Sequence, residues 1–182
     1  MKKKILLIGN SEGLPGVQKD FTNYKSFIMD EVGGDWYDSE IISRMNPKQN
    51  DLRSELKAIK NSSLDFLIVV FSGHAGQERE VVMEINGNGE TIYESELKNI
   101  ASRQITIYDC CRAYSKLEFA ESSDRVLLEK SAKIESNIRQ LYEKRIMLAI
   151  PQQLSLYACS INETADDTFE GGRYSKNLLK AA

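Results

Sequence analysis

The apolar positions of this chain come in short unbroken runs, separated by stretches in which they recur at helical spacing. Lys4-Ile-Leu-Leu-Ile-Gly9 and Phe66-Leu-Ile-Val-Val-Phe71 are continuous apolar runs, the pattern of parallel strands buried on both faces. Between them, Phe21, Tyr24, Phe27, Ile28 and Val32 follow a helical repeat that starts near Val17 and stops at Gly33-Gly34. Ser39 to Met45 reads as a second strand, and Asn46-Pro47 opens a second helix with Leu52, Leu56 and Ile59 on one face. This β-α-β-α-β order calls for a parallel sheet with right-handed crossovers.

Past the Phe66 strand the pattern changes. Val81 to Ile85 and Thr91 to Tyr93 flank Asn86-Gly-Asn-Gly89, a turn signal that predicts a small hairpin inserted after the third strand. Glu94 to Ala101 reads as a short helix, and Gln104 to Asp109 as the fourth core strand. A long charged helix from Asp124 to about Lys144 carries Val126, Leu127, Ile134, Ile138 and Leu141, within an insertion or linker spanning 115–153. Leu154 to Cys159 is the fifth strand, and a last helix starts at Arg173 with Tyr174, Leu178 and Leu179 on its packing side. That helix reaches Ala182 with no cap, so the sequence reads as one that continues further. The expected fold is α/β: one domain over 1–182, a mostly parallel central sheet between helical layers, and a hairpin insertion.

Composition narrows the function. The 182 residues are enough for one domain with a real core, and a formal charge of −3 gives no basic field for nucleic acid. The Ile5–Ile8 run behind Lys2-Lys3-Lys4 is too short for a signal core or a membrane span, so no membrane partner is expected. Three cysteines, two of them adjacent, make no disulfide framework, and with a single histidine no metal-ligand spacing exists. Free thiols point to the cytoplasm, and no cofactor is expected.

The chemistry gathers at two strand ends. The Phe66 run breaks at Ser72-Gly73, and the next residue is His74, the only histidine; the Gln104 strand ends in Cys110-Cys111. In open parallel sheets reactive groups collect at the carboxyl ends of strands. A cysteine nucleophile needs its thiolate, and a nearby imidazole can take the proton and return it to a leaving amine. A Cys-His pairing in this chain is forced onto His74.

These residues also carry a family resemblance. Phe71-Ser-Gly-His-Ala-Gly-Gln77 resembles the histidine motif of caspase-like cysteine peptidases, the clan of caspases, metacaspases and their bacterial relatives, and Tyr108-Asp-Cys-Cys-Arg-Ala113 resembles their cysteine motif. Leu156-Tyr-Ala-Cys-Ser160 and Gly172-Arg-Tyr-Ser175 are similar to the later part of that domain, and Gly33-Gly34-Asp35-Trp36 to its early part. The resemblance implies a three-layer caspase-like sandwich, His74 as general base and acid, and Cys111 as nucleophile with Cys110 a core neighbour. It implies an oxyanion site made by backbone N–H groups of Ala75 and Cys111, with Ala75 where the family usually has glycine. It also places Asp20 and Asp109 in the primary specificity pocket. Two carboxylates there favour Arg or Lys in the substrate. Caspase relatives carry a cleavable linker after the nucleophile, which makes Lys116, Arg125, Lys144 and Arg145 candidate self-cleavage points. The expected partners are protein or peptide substrates and a regulatory or signalling protein, since bacterial members act as regulated death or defence effectors.

Two other functions stay open on sequence alone. Ala75 and Arg112-Ala-Tyr114 depart from the family pattern, which leaves a catalytically silent caspase-like interaction module as the alternative. A nucleotide site in the Gly13–Gly16 loop has weak support, because neither Gly-Lys-Ser/Thr nor G-x-G-x-x-G occurs there.

Overall fold

The computed structural model describes residues 1–114 and 137–182. Five strands form the main sheet in the order β2-β1-β3-β7-β8: β1 (Lys3–Gly9), β2 (Ile41–Met45), β3 (Phe66–Ser72), β7 (Arg103–Asp109) and β8 (Gln152–Tyr157). All four neighbouring pairs are parallel. The continuous apolar runs are explained by what covers them. Leu6, Ile8, Leu67, Val69 and Phe71 face α2 (Gln49–Asn61) with its Leu52, Leu56 and Ile59. Ile5, Leu7, Phe66, Val70 and Ile107 face α1 (Gly16–Met29), α3 (Ile138–Leu148) and α4 (Arg173–Ala181). Successive side chains point to opposite sides of a strand, so a strand covered twice must be apolar throughout.

The insertion after β3 is larger than a hairpin. β4 (Ala75–Gln77), β5 (Val81–Glu84) and β6 (Thr91–Tyr93) make a three-stranded antiparallel sheet whose inner side chains Val81, Met83 and Ile92 join the α2-side core. β4 begins one residue after His74, and the His74 carbonyl accepts a hydrogen bond from the Glu84 amide at 2.9 Å. The small sheet therefore holds the backbone at and just after that histidine, while the Gly73 amide before it donates to the Asp109 carbonyl of β7.

Several boundaries differ from expectation, each for a local reason. α1 ends at Met29, because the Trp36 amide donates back to the Ile28 carbonyl and the chain turns there to bury Trp36; Val32 is left exposed. The helix expected over 94–101 is one 3-10 turn, Glu94–Leu97. Asn99 adopts a left-handed backbone (φ 56°), and the amides of Ile100 and Ala101 donate to the Gln104 side chain instead of continuing a helix. α2 starts at Gln49, two residues after Pro47, and β8 starts two residues earlier than expected. Of the long charged helix, 124–136 lies outside the described residues, as do Lys116 and Arg125; the described part extends to Leu148 and contains Lys144 and Arg145.

Leu67 is fully buried at the start of β3, at the other end of the strand from Ser72 and His74, so it tests the core separately from the chemistry. Leu67→Ala should lower the unfolding free energy by about 2–5 kcal/mol, from lost transfer energy plus the cavity left behind. Urea titration checks this: the midpoint should fall with the slope unchanged.

Candidate active site

β1 and β3 are hydrogen-bonded neighbours from which the chain runs outward in both directions, to β2 on one side and to β7 on the other. Such a switch point opens a crevice at the carboxyl ends of the strands, and the candidate residues lie around it. Ser72 pairs with Asp109 at the ends of β3 and β7, so His74 and Cys111 each stand two residues beyond the same rung. Gly73 makes the turn between strand and histidine. Its amide donates to the Asp109 carbonyl at 3.3 Å, and a Cβ on it would meet the Asn10 backbone nitrogen at 3.1 Å. A side chain there would push β1 and β3 apart.

The imidazole is held by the loop after β1. His74 Nε2 lies 2.6 Å from the Glu12 carbonyl oxygen. A carbonyl only accepts, so Nε2 carries the proton, and in the neutral ring Nδ1 is left as the acceptor. The loop is braced in turn: the Asn10 side chain accepts from the Glu12 amide, and the Asn46 side chain accepts from the Ser11 amide. Glu12 acts here through its backbone, which no motif search on side chains would find.

The two adjacent thiols have different surroundings. Cys110 points into the α2-side core with Tyr108, and burial pushes its thiol pKa well up. Cys111 is half-buried and faces the segment 163–172, which crosses the strand ends like a strap. The Ala165 amide donates to Cys111 Sγ at 3.4 Å; the Arg112 amide donates to the Glu163 carbonyl (2.9 Å), and the Asn162 amide just before the segment donates to the Arg112 carbonyl (2.8 Å). Ala75 is the first residue of β4, paired with Met83, directly after the histidine.

Asp20 and Asp109 come together beneath this point, Asp20 from the second turn of α1 and Asp109 from the end of β7. Both are buried. Asp20 accepts hydrogen bonds from the Ser72 hydroxyl (2.6 Å) and the Gly172 amide (2.9 Å), and Asp109 accepts from the Ser175 amide (3.0 Å). Side chains at Gly171 or Gly172 would collide with the two carboxyl groups. The two carboxyl groups are thus covered by the start of α4, whose amides and dipole favour negative charge. Burial raises Asp20 to about 8, with the Asp109 charge adding to it, and burial also raises Asp109. Asp167 completes an acidic arc, accepting from the Gly16 amide at 3.0 Å. Sequence reasoning assigns Asp167, Ala165 and Gly171-Gly172 no role at this site, since only the fold brings them back to α1 and β7.

Among the described residues, no group of three or more His, Cys, Asp and Glu side chains could hold a metal ion, and no helix is long and apolar enough to cross a membrane.

A parallel α/β sheet with a partly exposed thiol and an oriented imidazole at neighbouring strand ends has the parts of a thiol-dependent hydrolase. The chain belongs to the caspase domain family, whose model matches residues 2–182, and that family is one of cysteine peptidases. No individual curated protein matches the chain.

The buried carboxyls give a pH dependence of stability with a definite sign. A carboxyl raised in the folded state holds its proton there after the unfolded chain has lost it, so this group's contribution falls as pH rises. For Asp20 the window runs from its ordinary value of 3.8 up to about 8. Scanning calorimetry should show wild type losing stability between pH 5 and 8 more steeply than Asp20→Asn, which removes that titration.

Proposed function

We propose that this protein is a cysteine endopeptidase that cleaves after Arg or Lys, with Cys111 as nucleophile and His74 as general base and acid. The observation that carries the reading is the shared rung below the two groups, together with a histidine whose Nε2 is already committed to the Glu12 carbonyl. Nδ1 then takes the Cys111 proton as the sulfur attacks the scissile carbonyl carbon, and returns it to the leaving amine when the acyl-enzyme forms. Water resolves the thioester by the same proton path. The backbone N–H groups of Ala75 and Cys111 face the developing oxyanion in this scheme.

The basic preference is supported by the buried Asp20 and Asp109 and by the Ser72 hydroxyl, which donates to Asp20 on the rung it shares with Asp109. A guanidinium brings charge and paired donors to such a site, replacing the Gly172 and Ser175 amides that occupy it now. Substrate entry therefore requires Gly171-Gly172 to withdraw. A peptidase that rests with its pocket filled fits a regulated effector switched by a protein partner, of the kind the bacterial relatives represent. Cleavage at Lys144 or Arg145 is compatible with the same preference.

Paired fluorogenic peptides ending in Arg, Lys or Asp test the proposal. Turnover should favour Arg and Lys, and an Asp preference contradicts the pocket assignment. Cys111→Ala should abolish cleavage, and His74→Ala should lower kcat/KM by roughly 10²–10⁴-fold. Cys110→Ala should keep most of the activity, at some cost in core stability. Activity lost in Cys110→Ala and kept in Cys111→Ala contradicts the choice of nucleophile.

A further inference from the structure

Three thiols stand at the ends of two adjacent strands, and the peptidase chemistry uses only one of them. Tyr108 of β7 pairs with Tyr157 of β8, their rings stacked with centroids 5.0 Å apart, and the Ala158 amide donates to the Tyr108 carbonyl at 3.0 Å. This extends the parallel pairing one step past β8 and brings Cys159 beside Cys110-Cys111. Cys159 Sγ donates to the Cys110 carbonyl at 3.5 Å, while the Arg112 amide donates to the Glu163 carbonyl at 2.9 Å. That Cys110 carbonyl belongs to the peptide group that joins Cys110 to Cys111. The Cys159 sulfur also lies 3.4 Å from the Glu163 carbonyl, two residues from the Ala165 amide that holds Cys111 Sγ.

We propose that Cys111 and Cys159 form a reversible disulfide that switches the site off when a peroxide reaches it. A bridge needs Cα atoms about 4.4–6.8 Å apart, and the 3.5 Å contact of Cys159 Sγ with the Cys110 carbonyl brings this side chain to the peptide group that joins Cys110 to Cys111. Cys111 has only to release its weak sulfur contacts with the Ala165 amide and carbonyl. Cys110 is enclosed in the core and is the last of the three to meet an oxidant. Burial raises the Cys159 thiol, which suits it to be the second partner rather than the first.

The chemistry balances with the peroxide as sole oxidant. The Cys111 sulfur attacks one peroxide oxygen; the O–O bond breaks, a sulfenic acid forms and one water leaves with the thiol proton. The Cys159 sulfur then attacks the Cys111 sulfur; the S–O bond breaks, and hydroxide leaves with the Cys159 proton as a second water. The two thiols lose two electrons and the peroxide gains them. A dithiol reductant reverses the bridge, whereas a sulfenic acid left without a partner oxidises further to irreversible products. While it lasts, the bridge removes the nucleophile from His74 and shields it from that damage.

The inference rests on Cys111 being the reactive thiol, and mass spectrometry tests it without any turnover. Wild type treated with stoichiometric hydrogen peroxide should lose two hydrogens and give a cross-link between the tryptic peptides 104–112 and 146–173. The cross-link should persist in Cys110→Ala and disappear in Cys111→Ala. Peptidase activity should fall with cross-linking and return almost completely with dithiothreitol. Cys159→Ser, or Cys159→Ala if the serine variant does not fold, should keep its basal activity but lose it irreversibly to peroxide. A cross-link carried by Cys110, or full dithiothreitol recovery in the Cys159 variant, overturns the inference. A cross-link in a protein that cleaves nothing overturns the peptidase proposal and leaves the disulfide standing.

Discussion

The register between β3 and β7 is the constraint on which the rest depends. Both strands are covered on both faces, so a slip of one residue would turn every side chain to the wrong layer. Locking Phe71 to Tyr108 and Ser72 to Asp109 also fixes the height at which each strand ends. Everything beyond that rung inherits its position from the core. The histidine follows one tight glycine turn, the thiol follows one core cysteine, and neither depends on a long loop. The small β4-β5-β6 sheet then clamps the backbone just after the histidine, and the Glu12 carbonyl fixes its ring. Precision at the strand ends is the consequence of apolar packing some residues away.

Below the same rung lies a second constraint, of the opposite kind. Two carboxyl groups are buried side by side, which is costly unless donors surround them or protons neutralise them. The chain uses both means. The Ser72 hydroxyl and the Gly172 and Ser175 amides supply donors, and the raised Asp20 holds a proton up to about 8. Two of these donors come from the strap and the start of α4, so the groups that make the buried carboxyls tolerable are the groups that cover them. Burial of the two carboxyl groups and their coverage by the strap are one interaction. Tyr24, bonded to the Ser175 hydroxyl at 2.9 Å, anchors that end of α4 to α1.

Much of this was legible in the sequence because the fold uses strong, local signals. Unbroken apolar runs gave the buried strands, Asn86-Gly-Asn-Gly89 marked the turn of the insertion, and Ser72-Gly73 and Cys110-Cys111 marked the strand ends. Parts that depend on distant contacts were not legible. β4 is three residues long and exists only because β5 pairs with it. The 3-10 turn at Glu94–Leu97 was read as a longer helix because the left-handed Asn99 leaves no mark in apolar periodicity. Glu12 contributes a carbonyl, which every residue has. Ala165 and Gly171-Gly172 matter for where their backbone lies, more than 50 residues from the thiol and the carboxyl they meet. Asp20 and Asp109 could be paired only through the caspase resemblance, and the fold gives that pairing a physical form.

A covalent probe tests the central claim most directly, that one thiol is activated beside an acidic pocket. Peptidyl acyloxymethyl ketones ending in Arg or in Asp are reacted with the protein, and the modified residue and its labelling rate are read by intact-mass and peptide mass spectrometry. The account predicts one adduct, on Cys111, formed much faster with the Arg probe and slowed sharply in His74→Ala. Labelling of Cys159 at the same rate, or equal labelling of Cys111 by both probes with no effect of the histidine, contradicts it.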